Sequence, residues 1–376
     1  MPEIWLRYGH SDVVLDVKYE NLQNHFSSSD PAFWTNPYLV ESDISGILNN
    51  ISKNSYRFIF IFSGSIIILK LVSRLIQIYK DKNLDIKLLT TSKLFHIVKK
   101  NLSSLNIDTE IISIDKNYFE KINPNDVLFV SKISYNPFFG FSCNFTNVLK
   151  YFFPDKMTDV FFLMNEKIPQ PGIITNNLEF AVDEMSKLNL HLLDIVTNNY
   201  EISTINYSLT NSNIPKILKI FNLNSNVHTS NISSLITSAG NDLDNHATLS
   251  DSLNSLWNTL FSIMIRGTHI LLSECKNGIG DGALLKFLEG KISFTDLSSI
   301  KYYIDGLEHL FYFNEFKDKY DLGLLSTLPH YYSNKKLGFQ TFANMSEIIQ
   351  TVITKYGKNH KINVLSDPDL LLLSRN

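Results

Sequence analysis

Along the first half of the chain, short runs rich in β-branched and aromatic residues alternate with segments whose apolar positions recur at helical spacing. Within Glu41 to Ser52, the residues Ile44, Ile47, Leu48 and Ile51 fall at i, i+3, i+4 and i+7, the stripe of an amphipathic helix. Arg57 to Phe62 reads as a buried strand that Ser63-Gly64-Ser65 breaks off, and a helix is expected from about Ile66 to Lys80. The same logic predicts a strand over Leu84 to Leu89, a helix over Lys93 to Leu102, and strands over Thr109 to Ile114 and Asp126 to Val130. A Pro/Phe/Gly-rich loop, Ser134 to Ser142, follows, and Ile4 to Tyr8 with Val13 to Val17 resembles a hairpin. Strands separated by helices of this length imply parallel βαβ pairing.

Leu190 to Val196 and Glu201 to Leu209 read as two further strands, and the Asn/Ser/Pro cluster Thr210 to Pro215 places a domain junction there. The expected domains are therefore 1–212 and 213–376. The second half repeats the alternation: a strand over Ser233 to Thr237, a turn at Ala239-Gly240-Asn241-Asp242, and a helical stripe through Leu253, Leu256, Leu260 and Ile263. A strand over His269 to Ser273, the turn Gly278 to Gly282 and a helix over Ala283 to Leu288 come next. The expected fold class is α/β, two α/β domains with an interdomain cleft. Ligands of such sheets sit beyond the carboxyl ends of the strands, which draws attention to Ser63 to Ser65, Thr90 to Lys93, Ser134 to Ser142, Ser238 to Asp244 and Glu274 to Gly282.

Composition adds exclusions. Among 376 residues, 44% are hydrophobic and 12% aromatic, enough apolar area for two cores, so wholesale disorder is excluded. A net charge of -3 gives no electrostatic footprint for nucleic acid or for an anionic membrane, and neither is expected as a partner. Cys143 and Cys275 match no zinc or redox spacing, and Glu3 and Arg7 interrupt any secretory apolar core at the start, which places the expected location in the cytoplasm. The most lipid-like stretch, Phe58 to Val72, is broken by Ser63, Gly64, Ser65 and Lys70 and reads as buried core.

Local chemical motifs are sparse. Ten histidines are scattered without His-x-His or His-Glu-x-x-His, and only Asp242 with His246 and Asp305 with His309 pair a carboxylate with an imidazole at helical spacing, so no metal site is assigned. No Gly-x-Ser-x-Gly elbow occurs. Gly278-Ile279-Gly280-Asp281-Gly282 has the context of a phosphate-binding turn, but it lacks the third spaced glycine, and Asp281 would repel a phosphate or serve as an N-cap. The aromatic loop around Phe138, Phe139 and Phe141 reads as a packing plug in preference to a ligand wall, because an exposed Phe cluster is costly.

Taken in order, Leu6-Arg7-Tyr8-Gly9, Asn136-Pro137-Phe138-Phe139-Gly140-Phe141-Ser142, Ile236-Thr237-Ser238-Ala239-Gly240 with Asp244, and Ser273-Glu274-Cys275-Lys276-Asn277-Gly278-Ile279-Gly280 resemble the signature stretches of the nickel-pincer lactate racemase family. The resemblance runs across nearly the whole chain. It implies two α/β domains around a nickel pincer nucleotide that takes a hydride from the α-carbon of a 2-hydroxy acid and returns it to either face. It further implies a tethering lysine, a histidine on nickel, two acid/base histidines and an Asp-x-Thr-Arg stretch engaging substrate.

At those positions this chain carries other residues. The Asp-x-Thr-Arg stretch falls on Ser63-Gly64-Ser65-Ile66, and isoleucine cannot clamp a carboxylate. The two acid/base histidines fall on Ser92, at the end of Thr90-Thr91-Ser92, and on Asn136, neither of which titrates near neutrality. The tethering lysine falls on Thr146, with Cys143 and Asn144 in place of glycines and Lys150 one helical turn on, and the nickel histidine falls near Phe162.

The expectation is a lactate racemase-like protein without pincer-dependent racemase activity, whose cleft binds a small molecule or a protein partner such as an active paralogue. The alternative is a 2-hydroxy acid racemase or epimerase, an isomerase, with a rebuilt site using His309, Asp305, Glu308 or Lys276. Candidate ligand-binding positions are Ser63, Ser65, Ser92, Asn136, Gly140, Ser142, Thr146 and His309. No cofactor is expected, and a nickel pincer nucleotide belongs only to the case in which the family chemistry is retained.

Overall fold

The computed structural model describes the chain except for residues 1–2, 10, 36, 108, 116–121, 199, 210–213, 241–245 and 376. The expected turn residues Asn241 and Asp242, together with Asp244 and most of the expected junction, fall outside the described residues. The chain divides into two compact units: an inner unit of Thr35–Ser134 and Phe139–Asn224, and a terminal unit of Met1–Trp34, Tyr135–Phe138 and Ser225–Asn376. Both are α/β, as the alternating pattern implies.

The inner sheet has the strand order Ile202–Leu209, His191–Thr197, Val127–Lys132, Phe58–Ile61, Lys87–Thr91, Ile111–Ile114. Its neighbours pair in parallel except at the Ile202–Leu209 edge, which is antiparallel because too few residues join it to His191–Thr197 for a crossover. One face carries Ile59, Ile61, Leu88, Leu128, Val130, Leu193 and Ile195 against the helices Glu41–Ile51, Ile66–Asp81 and Ser92–Ser104. The other face presents Phe60 and Phe129 to Phe152 of the helix Asn144–Phe152, with ring centroids 5.3 and 6.3 Å apart. Burial on both faces is why these strands read as unbroken apolar runs.

The terminal sheet runs Gln340–Phe342, Asp321–Leu325, Ile263–Leu272, Ile232–Ser238, Ile362–Leu365, Leu22–Phe26, with parallel pairing throughout the described ladders. The hairpin Glu3–Tyr8 with Ser11–Asp16 lays Ile4, Leu6 and Leu15 onto a core that includes Ile236, Ile270 and Val364.

This division differs from the expected 1–212 and 213–376. Leu22–Phe26 hydrogen-bonds to Ile362–Leu365 and buries Phe26, so the amino-terminal segment folds with the carboxy-terminal half. The helix Ile214–Ser225 lies almost wholly in the inner unit, where Phe221 packs edge-on to Phe141. An edge strand needs a partner, and sequence adjacency does not reveal one so far away.

Candidate functional site

In the inner sheet the chain proceeds from Phe58–Ile61 outward to Lys87–Thr91 and Ile111–Ile114, then returns to Val127–Lys132 on the opposite side of Phe58–Ile61. The topological switch point therefore lies between Phe58–Ile61 and Val127–Lys132, the place at which open sheets of this kind commonly take ligands. Ser63 to Ser65 forms one of those loops. Ser63 is buried and its Oγ accepts the Ser65 N–H at 3.2 Å, while the Gly64 carbonyl accepts Asn101 Nδ2 at 2.9 Å. A Cβ at Gly64 would come within 2.9 Å of the Ile97 side chain, a close approach that favours glycine here.

On the neighbouring strand, Thr91 caps the Ser92–Ser104 helix by accepting the Leu94 N–H at 3.3 Å, leaving Ser92 exposed at the first helical position. Tyr151, from the Asn144–Phe152 helix, donates its hydroxyl to the Ile114 carbonyl at the same edge. Burial and the nearby Asp115 raise its pKa, and an N–H from Ser92 partly offsets the rise. The sheet's carboxyl edge thus carries hydroxyls, backbone donors and a phenol above the Phe60, Phe62 and Phe129 rings.

The segment after Val127–Lys132 completes the edge. Gly140–Ser142 is a short strand, where a loop was expected. Gly140 adopts φ +87°, and a Cβ there would lie 2.2 Å from the Ile173 carbonyl oxygen. Ser142 is half-buried and donates to Asn147 Oδ1 at 3.2 Å. Thr146 is buried, and its hydroxyl is taken up locally, accepting the Cys143 N–H and donating to the Cys143 carbonyl, both at 3.0 Å.

Beneath Ser142 stands a residue that the sequence reading did not single out, Asp194, wholly buried in His191–Thr197. Its Oδ1 accepts the Asn144 backbone N–H at 2.8 Å and Asn144 Nδ2 at 3.0 Å, which caps the start of the Asn144–Phe152 helix, while Oδ2 has no hydrogen-bond partner. Burial pushes its pKa up to about 7, against the pull of the two Asn144 bonds. The adjacent Cys143 thiol is pushed up to about 12 by burial and by Asp194. A lone Asp within the apolar run Leu190 to Val196 was the available signal for this residue. Tyr151 carried no comparable signal.

Of the eight candidate positions, the structure places Ser63, Ser65, Ser92, Gly140, Ser142 and Thr146 in the inner unit, the first three directly at the carboxyl edge of its sheet. Asn136 and His309 belong to the terminal unit. Asn136 Oδ1 accepts the Phe138 N–H at 2.9 Å. His309 is buried, with its Nδ1 accepting Trp257 Nε1–H at 3.2 Å, and beside it the buried Glu308 accepts the Tyr303 hydroxyl at 2.8 Å. Phe138, Phe139 and Phe141 are all buried, and Phe138 stacks on Tyr303, in keeping with a packing plug.

The glycine turn serves the fold. The Gly278 and Ile279 carbonyls accept the Leu249 and Ser250 N–H groups, and Gly282, not Asp281, is the N-cap of a helix only six residues long. That turn does not present a free amide cradle on a helix of useful length. Among the described residues, no group of three or more His, Cys, Asp or Glu could hold a metal ion, and no helix is long and apolar enough to cross a membrane.

Neither a family model nor a curated relative matches the chain. Solved structures do. The lactate racemase apoprotein from Thermoanaerobacterium thermosaccharolyticum superposes with a TM-score of 0.67 at 14% identity, over 99% of this chain and 100% of that one. A protein from Thermotoga maritima superposes with a TM-score of 0.64 at 10% identity, over 91% of this chain and 100% of that one. The chain has the lactate racemase-like fold. At such identity the likeness is one of fold, and the activity of the relatives stays with them.

Proposed function

We propose that this lactate racemase-like protein binds a neutral small molecule at the carboxyl edge of its inner sheet and does not carry out pincer-dependent racemisation. The observation that carries this reading is what stands at the strand-to-helix turns: Ser63, Ser65, Ser92, Ser142 and the backbone groups around them offer hydroxyls and amides, and Ile66 offers no guanidinium to clamp a carboxylate in a paired geometry. Aromatic rings behind a few convergent polar groups describe an ordinary small-molecule site.

The residues present do not fit a nickel pincer nucleotide. Thr146 has no amine with which to tether it, and its hydroxyl is already shared with Cys143. The position that resembles the nickel histidine holds Phe162, which is 40% exposed and has no ligating atom. No acid or base able to act near neutrality occupies Ser92 or Asn136. The chain's location is proposed to be the cytoplasm, on its two buried, unpaired cysteines.

Metal analysis and a lactate racemisation assay with supplied pincer nucleotide test the negative half. Neither stoichiometric nickel nor interconversion is expected, and racemisation abolished by Lys150→Ala would show that the tether had moved one helical turn. Thermal-shift screening tests the positive half. Stabilisation by neutral hydroxyl or amide compounds is expected, whereas stabilisation chiefly by 2-hydroxy acids, lost on adding salt, would overturn the neutral-site reading.

A further inference from the structure

The buried Asp194 is linked to the half-buried Ser142 by a continuous chain of hydrogen bonds. Asn144 Nδ2 donates to Asp194 Oδ1 at 3.0 Å, Ser131 Oγ donates to Asn144 Oδ1 at 2.9 Å, Asn147 Nδ2 donates to Ser131 Oγ at 3.0 Å, and Ser142 Oγ donates to Asn147 Oδ1 at 3.2 Å. Every direction follows from Oδ1. It already accepts the Asn144 backbone N–H, and a proton on the carboxyl would sit on the unpartnered Oδ2, so in either state Asn144 turns its NH₂ toward Asp194 Oδ1 and its carbonyl toward Ser131. A carbonyl only accepts, so Ser131 spends its one proton on Asn144 and is left to accept from Asn147. That turns the Asn147 carbonyl toward Ser142, which must donate. The chain therefore has one polarity, and each bond strengthens the next.

We propose that Asp194 is a positioning residue that fixes the Ser142 hydroxyl as a hydrogen-bond acceptor toward the ligand, so that the ligand group docked at Ser142 is a donor, a hydroxyl or an amide N–H. The inference rests on the reading of this edge as a small-molecule site and narrows it. With its single proton committed inward to Asn147, Ser142 has only lone pairs to offer outward. A ligand carboxylate or bare carbonyl finds no donor there.

The groups around Asp194 make the carboxyl an effective anchor. The Val127–Lys132 strand contributes Ser131, its ladder partner on one side, and the Ile202–Leu209 strand contributes Asn206 on the other, neither of which titrates. From the helix side Cys143 is the titratable neighbour, held protonated by burial. Burial raises the Asp194 pKa, and the two Asn144 bonds oppose the rise. Any weakening of the donor chain therefore registers directly on that carboxyl.

The test begins on the full ligand-free chain, with the Asp194 carboxyl titrated by carbon-detected NMR. Ser131→Ala interrupts the chain two bonds away from the carboxyl and is expected to raise the Asp194 pKa by about half a unit. Ser208→Ala, whose hydroxyl has no partner, is expected to leave it unchanged. No change in Ser131→Ala would overturn the oriented chain.

The second arm follows the Ser142 and Cys143 amide resonances on addition of acetamide, which donates and accepts, and of N,N-dimethylacetamide, which only accepts. Response to acetamide alone is expected, with the preference reduced in Asp194→Ala, which removes the acceptor that turns the Asn144 amide, and retained in Asp194→Asn, whose carbonyl oxygen still accepts the Asn144 backbone N–H. Equal response to both amides would overturn the donor rule. Response to neither would overturn the ligand reading and the donor rule together, while the titration would still decide the chain.

Discussion

Each unit buries one ionisable side chain at the heart of its sheet, and the two behave as opposites. The terminal unit encloses His269, fully buried in Ile263–Leu272, with Nε2 between the hydroxyls of Thr237 and Thr259 at 3.1 and 3.0 Å and with Nδ1 unpartnered. Burial pushes its pKa down to about 3. The inner unit encloses Asp194, whose pKa the same burial pushes up to about 7. One cost, that of placing charge in a medium unable to solvate it, thus keeps an imidazole and a carboxyl neutral through mildly acidic pH. Acid threatens the terminal unit and alkali the inner one.

The largest expected effect comes from His269. Its folded pKa lies below the unfolded value near 6.5, so its stabilising contribution is complete above that value and is lost as pH falls toward 3. Roughly 3 kcal/mol of stability should disappear between pH 7 and pH 4. Urea unfolding followed at the Trp257 fluorescence should show that loss in the native chain and much less of it in His269→Gln. An equal slope in both would remove His269 from the comparison.

Asp194 gives the mirror image. Its folded pKa is raised above the unfolded value, so the stability it permits is complete at low pH and is lost as pH rises through about 7. Asp194→Asn should therefore be more favourable at pH 8 than at pH 5, by about 2.5 kcal/mol. Chemical unfolding at the two pH values, following signals from the inner unit, reads the difference. If the variant costs the same at both, the carboxylate is being solvated and the contrast between the units fails.

Glycine substitutions sharpen the comparison at smaller scale. Gly140 in the inner unit and Gly278 in the terminal unit share a left-handed backbone, at φ +87° and +78°, but a Cβ at Gly140 meets the Ile173 carbonyl whereas nothing lies within 4 Å at Gly278. Gly140→Ala should cost roughly 2 kcal/mol or more, through the clash added to the backbone strain, and Gly278→Ala about 1 kcal/mol through backbone strain alone. Parallel thermal denaturation ranks the two, and equal losses would mean that the Ile173 loop yields. The caps match Gly278→Ala in size. Thr91→Ala and Thr248→Ala each remove a hydroxyl that accepts a first-turn N–H, at 3.3 and 3.2 Å, and each should cost about 1 kcal/mol in its own unit.

The alternation of strands and helices up to Val130 was legible because buried strands and amphipathic helices leave different periods in the sequence, and Glu41–Ile51 and Phe58–Ile61 stand close to where those periods place them. The carboxyl-end positions Ser63, Ser65 and Ser92 followed from the same pattern, since a parallel sheet presents its strand-to-helix loops along one edge. Less legible were the partners. Leu22–Phe26 carries polar Gln23, Asn24 and His25 among its five residues and resembles no buried strand until Ile362–Leu365 is beside it. Thr146 became a candidate because it stands where the resemblance places a tethering lysine, and only the helix start at Cys143 shows where its hydroxyl goes.

The sequence by itself determined the fold class and the hydroxyl-rich strand-to-helix turns, because periodicity and residue type are properties of single positions and their near neighbours. It also supplied the expectation that serine, asparagine and threonine stand where its resemblance to the pincer racemases implies histidine and lysine. Tertiary structure alone decided that the amino-terminal strand joins the carboxy-terminal sheet, that His309 is enclosed, and that Asp194 reaches Ser142 through Asn144, Ser131 and Asn147. Those outcomes depend on which strands become neighbours, and a hydrogen bond between residues fifty positions apart leaves no period in the chain that makes it.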